Sequence, residues 1–356
     1  MKIAVLPGDD IGPEITAAAV AVLERASERH GLRLAFETHE VGMAAHRRGG
    51  TTLPEAALAA ARAADGIILG PAGMTAYPPR EQGGINVPGT VRKQLELFAN
   101  LRPARSRRNV PRSHPGLDLM IVRENTEGFY ADRNLFQGYG ELMPTPDVAM
   151  SVRVITARAS RRIAEEAFRV ARTRRKHVTM VGKRHVLQVT DGLFMREVEA
   201  VAARHPDVTL REIDVDAMAA ELYTHPASFD VVLTTNMFGD ILSNQAVALS
   251  GGLGLAAALN AGEKHAAANA GHGSAPDIAG KGIANPVGLI LSSALLLRWL
   301  AQRGAGAAFI AAAADIEAAV DRTLEGGTRT RDLGGSATTG AFTEAVCAAL
   351  GVAQVA

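Results

Sequence analysis

The chain reads as an α/β protein in which Ala-rich helices cover a largely buried sheet. Short apolar runs such as Lys2 to Leu6, Gly66 to Gly70 and Val231 to Leu233 end in glycine or polar turns, as buried strands do. Between them lie stretches with apolar residues at helical spacing. Only 4% of residues are aromatic while alanine is abundant, which suits helices lying close on a sheet. At 356 residues the chain is long enough for one large domain or two. A net charge of +1 with 21% charged residues leaves no nucleic-acid footprint. The single cysteine, Cys347, excludes an internal disulfide and fits a reducing cytoplasm. Met1 and Lys2 lead directly into a strand, so no signal peptide is expected. The longest apolar run, Pro286 to Leu297, is shorter than the ~20 residues a membrane span requires.

In order, the first strand is followed by PGDDIGPE, where Gly8 and Gly12 permit a tight turn. Pro13 and Glu14 suit the first turn of a helix that carries Ile15, Ala19, Val22, Leu23 and Ala26 and stops at Gly31. The turn is not GxGxxG, so the dinucleotide fingerprint is absent. Leu34, Phe36 and Thr38 alternate as a strand, and Pro54 to Ala64 reads as a helix. The Gly- and Pro-rich stretch from Pro71 to Gly89 is a long loop, either functional or mobile surface. A helix is expected over Val91 to Phe98, then a strand-like LMIVREN. Ser151 to Ile155 alternates as a strand, and Ala157 to Arg172 is a helix whose arginines (161, 162, 169 and 172) read as solvated. Strand His177 to Val181, helix Asp191 to Ala203 and strand Val208 to Ile213 follow. Helices over about Val287 to Gln302 and Ala307 to Leu324, and a short C-terminal one, complete the chain.

Polar groups at the exit of a buried strand are where open α/β sheets hold ligands. After Val231 to Leu233, Asn236 and Gly239 mark a turn into a helix carrying Asp240 and Asn244 on one face. Two oxygen donors one turn apart suit Mg²⁺ or Mn²⁺; a solvated helix start is the plainer alternative. Arg92, Arg102 and Arg123 lie near buried strands and the glycine-rich loop, which makes a di- or tricarboxylate site plausible. Lys183 sits at a strand exit, and Asp216 at a helix start where N-capping is the default explanation.

These residues lie in segments that resemble one family throughout: LPGDDIGPE, LFANLRP, VRENTEGFY, VDAMA, TTNMFGDILSN and HGSAPDIAGKGIANP, in the family's order. The chain is similar to the β-decarboxylating dehydrogenases of isocitrate, isopropylmalate, homoisocitrate and tartrate or D-malate. The resemblance implies a two-domain, isopropylmalate-dehydrogenase-like α/β fold with a central mixed sheet, distinct from the Rossmann fold. Residues 1–100 plus 252–356 would form a discontinuous cofactor-binding domain, residues 101–251 the dimerisation and substrate/metal domain, with the active site in the cleft. It further implies a homodimer with active sites shared between subunits. Arg92, Arg102 and Arg123 would grip the carboxylates of a malate-like core. Tyr130 would protonate the enol after decarboxylation. Lys183 would take the hydroxyl proton, with a pKa expected to be lowered, and Asp216 would accompany it from the partner subunit. Asp216, Asp240 and Asn244 would hold Mg²⁺ or Mn²⁺. NAD is implied by Asp277, whose carboxylate would repel a 2′-phosphate. Ile11, Gly254, His272, Gly273, Ile278 and Asn285 would complete the cofactor site.

Three positions depart from the family pattern: Asn244 stands for an aspartate, His185 for an asparagine and Asp10 for a glycine. The loop before Arg92, GGINVPGTVR, has neither the Ser-Leu-Asn-like segment of isocitrate enzymes nor the Leu-rich segment that packs an isopropyl group. Gly89 stands where homoisocitrate enzymes carry a further arginine. The expectation is therefore NAD- and metal-dependent oxidative decarboxylation of a 3-substituted malate with a small or neutral substituent. Tartrate or D-malate, isocitrate or homoisocitrate, and a non-catalytic regulatory paralogue are the alternatives.

Overall fold

The computed structural model describes residues 1–130, 135 and 140–351. The first half of the chain lays down β1 (Lys2–Leu6), α1 (Gly12–His30), β2 (Ala35–Thr38), α2 (Met43–Gly49), α3 (Glu55–Ala63), β3 (Gly66–Leu69), α4 (Val87–Gln94), β4 (Ala99–Arg105) and β5 (Asp118–Glu124). A ribbon of β6 (Glu141–Thr145) and β7 (Val148–Ser151) comes next. Then follow α5 (Ala157–Arg172), β8 (His177–Gly182), α6 (Thr190–Ala202), β9 (Thr209–Asp214), α7 (Val215–Thr224), β10 (Val231–Thr234) and α8 (Asn236–Leu249). The hairpin β11 (Ala257–Ala261) and β12 (Ala266–Ala270) precedes α9 (Val287–Leu300), α10 (Ala307–Glu325) and α11 (Thr339–Ala349).

Ten strands form one mixed sheet in the order β2-β1-β3-β12-β11-β4-β5-β10-β8-β9, and β6 pairs only with β7. The outer strands run parallel to their neighbours; β4 is antiparallel to both β5 and β11, and β11 to β12. The strand period of two sorts the core into layers. Ile3, Val5, Leu101, Val122 and Leu233 face α1, α5, α6, α9, α10 and α11. Their alternates face the other way: Ala4, Leu6, Ile67 and Leu69 toward α3 and α4, and Leu119, Ile121 and Val232 toward α7 and α8. Between these last two groups, β4 and β5 present Asn100, Arg102 and Arg123.

Several expectations shift. The helix before β4 starts at Val87 rather than Val91, because Asn86 caps it by accepting from the Gly89 N–H at 2.8 Å and Pro88 suits its first turn. Ser151 to Ile155 is not a strand: the extended run lies upstream as β7, and Val154 makes only an isolated bridge to Gly128. The helices α9 and α10 stand near their expected bounds, α9 ending at Leu300 in a short π turn. The α5 arginines are not uniformly solvated, since Arg162 is half-buried over Phe98 and Arg169 pairs with Glu166 at 2.6 Å. The hairpin β11–β12, written AALNA and AAANA, has no strand signature in sequence because alanine favours helices. Its small side chains are wholly buried where α9 crosses the sheet. Pro103 sits inside β4, yet β11 pairs only as far as Leu101, so the missing N–H costs no ladder bond there.

Candidate active site

Three buried or half-buried donors converge on Asp240, which lies in the first turns of α8. Arg123, 2% exposed, donates from Nη1 to Oδ1 at 2.6 Å, and from Nε and Nη2 to the side-chain oxygen of Asn236 at 2.9 and 2.6 Å. Arg102, 7% exposed, donates from Nη1 to the same Oδ1 at 3.0 Å and to the Ser243 hydroxyl at 2.7 Å. The Tyr130 hydroxyl donates to Oδ2 at 2.6 Å. Gly239 makes this possible, because a Cβ there would stand 2.7 Å from Cγ and 2.8 Å from Cβ of Arg123. Behind Arg102 runs a buried amide relay: its Nε donates to Asn100, whose amide donates to Asn260 at 2.6 Å. Such fixed donors set guanidinium orientation before any ligand arrives.

The electrostatics follow from this crowding. Burial would raise the Asp240 pKa, but Arg123, then Arg102, with a contribution from Arg92 on α4, overcome it and hold the carboxylate below its ordinary range. Burial and the neighbouring Arg123 lower Arg102 to about 10, so the pocket is short of negative charge. Burial raises Tyr130, and its hydrogen bond to Asp240 adds to the rise while Arg123 opposes it, so the phenol keeps its proton. All three expected arginines thus act on one carboxylate.

A second cluster stands at the exits of β8 and β9. The Lys183 ammonium donates to Asp216 and to Asp214 at 3.3 Å, and His185 Nδ1 lies 3.1 Å from Asp214. The expected lowering of Lys183 is reversed: its hydrogen bond to Asp216, then that to Asp214, raises its pKa, because within one chain two carboxylates stabilise the ammonium. Nor is Asp216 the helix cap. Asp214 occupies that position, and Asp216 sits in the first turn of α7 with its carboxylate on Lys183. Asn244 is exposed one turn beyond Asp240. Among the described residues no three histidine, cysteine or acidic side chains of one chain form a metal-sized group. The all-oxygen set of Asp216, Asp240 and Asn244 suits Mg²⁺ or Mn²⁺; within one chain Asp216 is held by Lys183, and Asp240 by Arg102, Arg123 and Tyr130.

The expected cofactor residues do gather. The Ile11 N–H donates to the Ser274 carbonyl at 3.1 Å, and Glu14 accepts from the Gly282 and Ala284 N–H groups at 3.2 and 3.0 Å. The N-terminal turn is thereby tied to the second glycine-rich segment, with Ile278 in a short 3₁₀ turn of that segment and Asp277 exposed beside it. Burial lowers the His272 pKa; its Nδ1 faces the Gly273 carbonyl at 2.9 Å, and its buried Nε2 has no partner among the described residues. An unpaired buried acceptor of this kind fits a ligand donor. Gly273 is open, whereas a Cβ at Gly254 would meet Asn285 and Asp332. Asn285 also has structural duties, donating to Asp332 at 3.0 Å and accepting from the Val287 N–H. Asp10 adopts φ 54, the left-handed region that favours glycine and that aspartate tolerates, which accounts for its standing in a glycine's place.

Sequence reasoning missed Asn236 as an arginine partner, Asp214 as a lysine partner, and the buried pair of Arg153 with Asp191 at 2.6 Å. It also missed Glu127. Burial, with Glu124 nearby, raises this carboxyl to about 7 even though Thr156 donates to it twice. A raised acid keeps its proton in the folded state where the unfolded chain has lost it. Its stabilisation is therefore complete below about 4.5, the ordinary glutamate value, and is lost as pH rises to about 7. The melting temperature of wild type should accordingly fall between pH 5 and 8, and Glu127→Gln should flatten that slope; equal slopes would contradict the assignment.

Buried arginines that share one carboxylate with a protonated phenol, at the strand ends of a mixed sheet, define an α/β protein equipped to handle small anionic substrates. The chain matches the isocitrate/isopropylmalate dehydrogenase family over residues 2–346 and belongs to that family. It is 44% identical over 350 residues to an isocitrate/homoisocitrate dehydrogenase of Thermus thermophilus, covering 98% of each chain. It is 43% identical over 336 residues to a 3-isopropylmalate dehydrogenase of Methanothermobacter thermautotrophicus, covering 94% of each. The crystal structure of an isocitrate dehydrogenase from Methylococcus capsulatus superposes with a TM-score of 0.86 at 39% identity, covering 98% of this chain and 99% of that one.

Proposed function

We propose that this dehydrogenase carries out NAD- and divalent-metal-dependent oxidative decarboxylation of a 3-substituted malate. The observation that carries the reading is the convergence of Arg102, Arg123 and Tyr130 on Asp240. Arg92, Arg102 and Arg123 hold the substrate carboxylates by charge-assisted hydrogen bonds. Lys183 of a second subunit takes the hydroxyl proton, which requires that its salt bridge with Asp216 loosen as Asp216 turns to the cation. When bound, NAD⁺ would supply the hydride acceptor, and Mg²⁺ or Mn²⁺, which Asp240 and Asn244 would hold together with Asp216 of the second subunit, would supply a Lewis acid. Tyr130, its proton held by burial, then protonates the carbon left when CO₂ departs.

A homodimer is supported by apolar surface. The ribbon β6–β7 is exposed along its whole length, and a lone two-stranded ribbon is marginal in water. Ile241, next to Asp240, is 58% exposed, and Val189, close to Lys183 in sequence, is 83% exposed. Helices α1, α9, α10 and α11 pack on one another, as do α5 with α6 and α7 with α8, which supports residues 1–100 plus 252–356 as the cofactor domain and 101–251 as the substrate and metal domain. The exposed carboxylate of Asp277 favours NAD over NADP, and the lone Cys347 suits the cytoplasm.

A small or neutral substituent is supported by Gly89. A side chain there would start 2.7 to 2.9 Å from the Asn86 amide that caps α4, so the additional arginine a third carboxylate would call for would have to displace that cap. The test is NADH formation with NAD⁺ and Mn²⁺ on D-malate, tartrate, isocitrate, homoisocitrate and 3-isopropylmalate, with NADP⁺ as control. Turnover is expected with an uncharged 3-substituent. A strong preference for isocitrate would overturn the substituent assignment, and silence on every substrate would overturn the activity.

A further inference from the structure

On the sheet face opposite Asp240 lies a cavity of about 350 Å³, within the size range of small-molecule sites. The same strand serves both faces: β4 presents Arg102 to the one, and Leu101 and Pro103 to the other. Met120, Leu259, Leu291 and Leu295 complete an apolar floor between β5, β11 and α9.

The walls carry five arginines whose ion pairs are unevenly shared. Arg105 and Arg107 both pair with Asp321, Arg107 at 2.9 Å, while Arg298 pairs with Glu317 at 2.8 Å. Three guanidinium groups therefore share two carboxylates on this side. Across the cavity Arg169 is matched by Glu166, and Arg174 by Asp118 and Asp230. Arg107 is only 10% exposed, and burial lowers its pKa although Asp321 opposes the fall. A neutral donor is left over as well. Trp299 lines the cavity, 4% exposed, with Arg303 stacked 3.7 Å from its ring centre, and its buried Nε1–H has no acceptor among the described residues.

We propose that this cavity is a second small-molecule site, on the reverse face from the arginine–Asp240 cluster, that takes a monocarboxylate with a compact apolar body. The apolar body lies against Leu259, Leu291 and Leu295. The carboxylate supplies a second anion for Arg105 and Arg107, which share Asp321. The site does not depend on the reaction proposed above.

Trp299 is the sole tryptophan of the chain, so its fluorescence reports on this cavity directly. The probe is 3-phenylpropanoate, compared with its neutral isostere 3-phenylpropanamide. A saturable fluorescence change with the acid is expected, with the amide and the Arg105→Gln variant each binding about tenfold more weakly. Leu295→Phe, which narrows the apolar floor and leaves every charge in place, should weaken binding while retaining the wild-type melting temperature. Arg102→Gln, on the catalytic face, should leave it intact. No saturable change in fluorescence and no binding heat with the wild-type protein would overturn the proposal. So would equal affinities for acid and amide, undiminished binding to folded Leu295→Phe, or binding lost in Arg102→Gln.

Discussion

Two inactive variants, Lys183→Met and Asp240→Asn, should restore about one quarter of wild-type turnover when their chains are mixed and allowed to exchange. The reason is geometric. Within one chain Lys183 binds Asp214 and Asp216, while Asp240 binds Arg102, Arg123 and Tyr130. If each site combines one subunit's Asp240 cluster with the other's Lys183, a mixed dimer has one intact site and one doubly damaged one. Random exchange makes about half the dimers mixed, and half of their sites work. Each homodimer alone should fall by about 10² to 10⁴ in turnover, the range for a lost proton-transfer group. Size-exclusion chromatography and NADH rates before and after exchange provide the reading. No recovery, with chain exchange demonstrated by a tagged subunit, would place both groups of each site in one chain.

Arg123→Met should be the most damaging single substitution for the fold itself. Arg123 is 2% exposed and makes three charge-assisted bonds. Its removal strips Asn236 of both guanidinium donors and leaves Asp240 with Arg102 and Tyr130. Because Asp240 keeps Arg102 and Tyr130 while Asn236 is left with an unpaired buried oxygen, the cost is about 1–3 kcal/mol, which a urea midpoint would register. Turnover should fall about 100-fold or more through misplacement of the carboxylate contacts. Arg123→Lys should not rescue it, because an ammonium cannot reach Asn236 and Asp240 as a rigid fork. A variant with a wild-type midpoint would show that the pair contributes little to stability.

The parts of this arrangement that were legible in sequence are those written as local spacing. Asp240 follows a buried strand, with α8 starting at Asn236 where a turn was expected, and the arginines follow apolar runs, so their convergence could be anticipated. What was hidden depends on distance across the fold. Asn236 resembles turn punctuation until Arg123 is seen donating to it twice. Asp214 is one more acid before a helix until it meets Lys183 and His185. The hairpin β11–β12 was unreadable for a different reason. Alanine prefers helix locally, and only tertiary burial under α9 makes its small size an advantage in a strand. The pKa of Lys183 went against expectation because the relevant neighbours are the carboxylates of its own chain, which spacing alone could not assign to it.

The position of that hairpin has a consequence for biogenesis. Residues 257–270 supply the two strands that join β3 to β4, so the N-terminal strands and the β4–β5 half cannot become one sheet until most of the chain has left the ribosome. Until then β3 and β4 each present an unpaired edge, and that of β3, GIIL, is strongly apolar, the kind that recruits strands from other molecules. Nascent chains stalled or truncated before residue 257 should therefore depend on chaperones far more than the finished protein does.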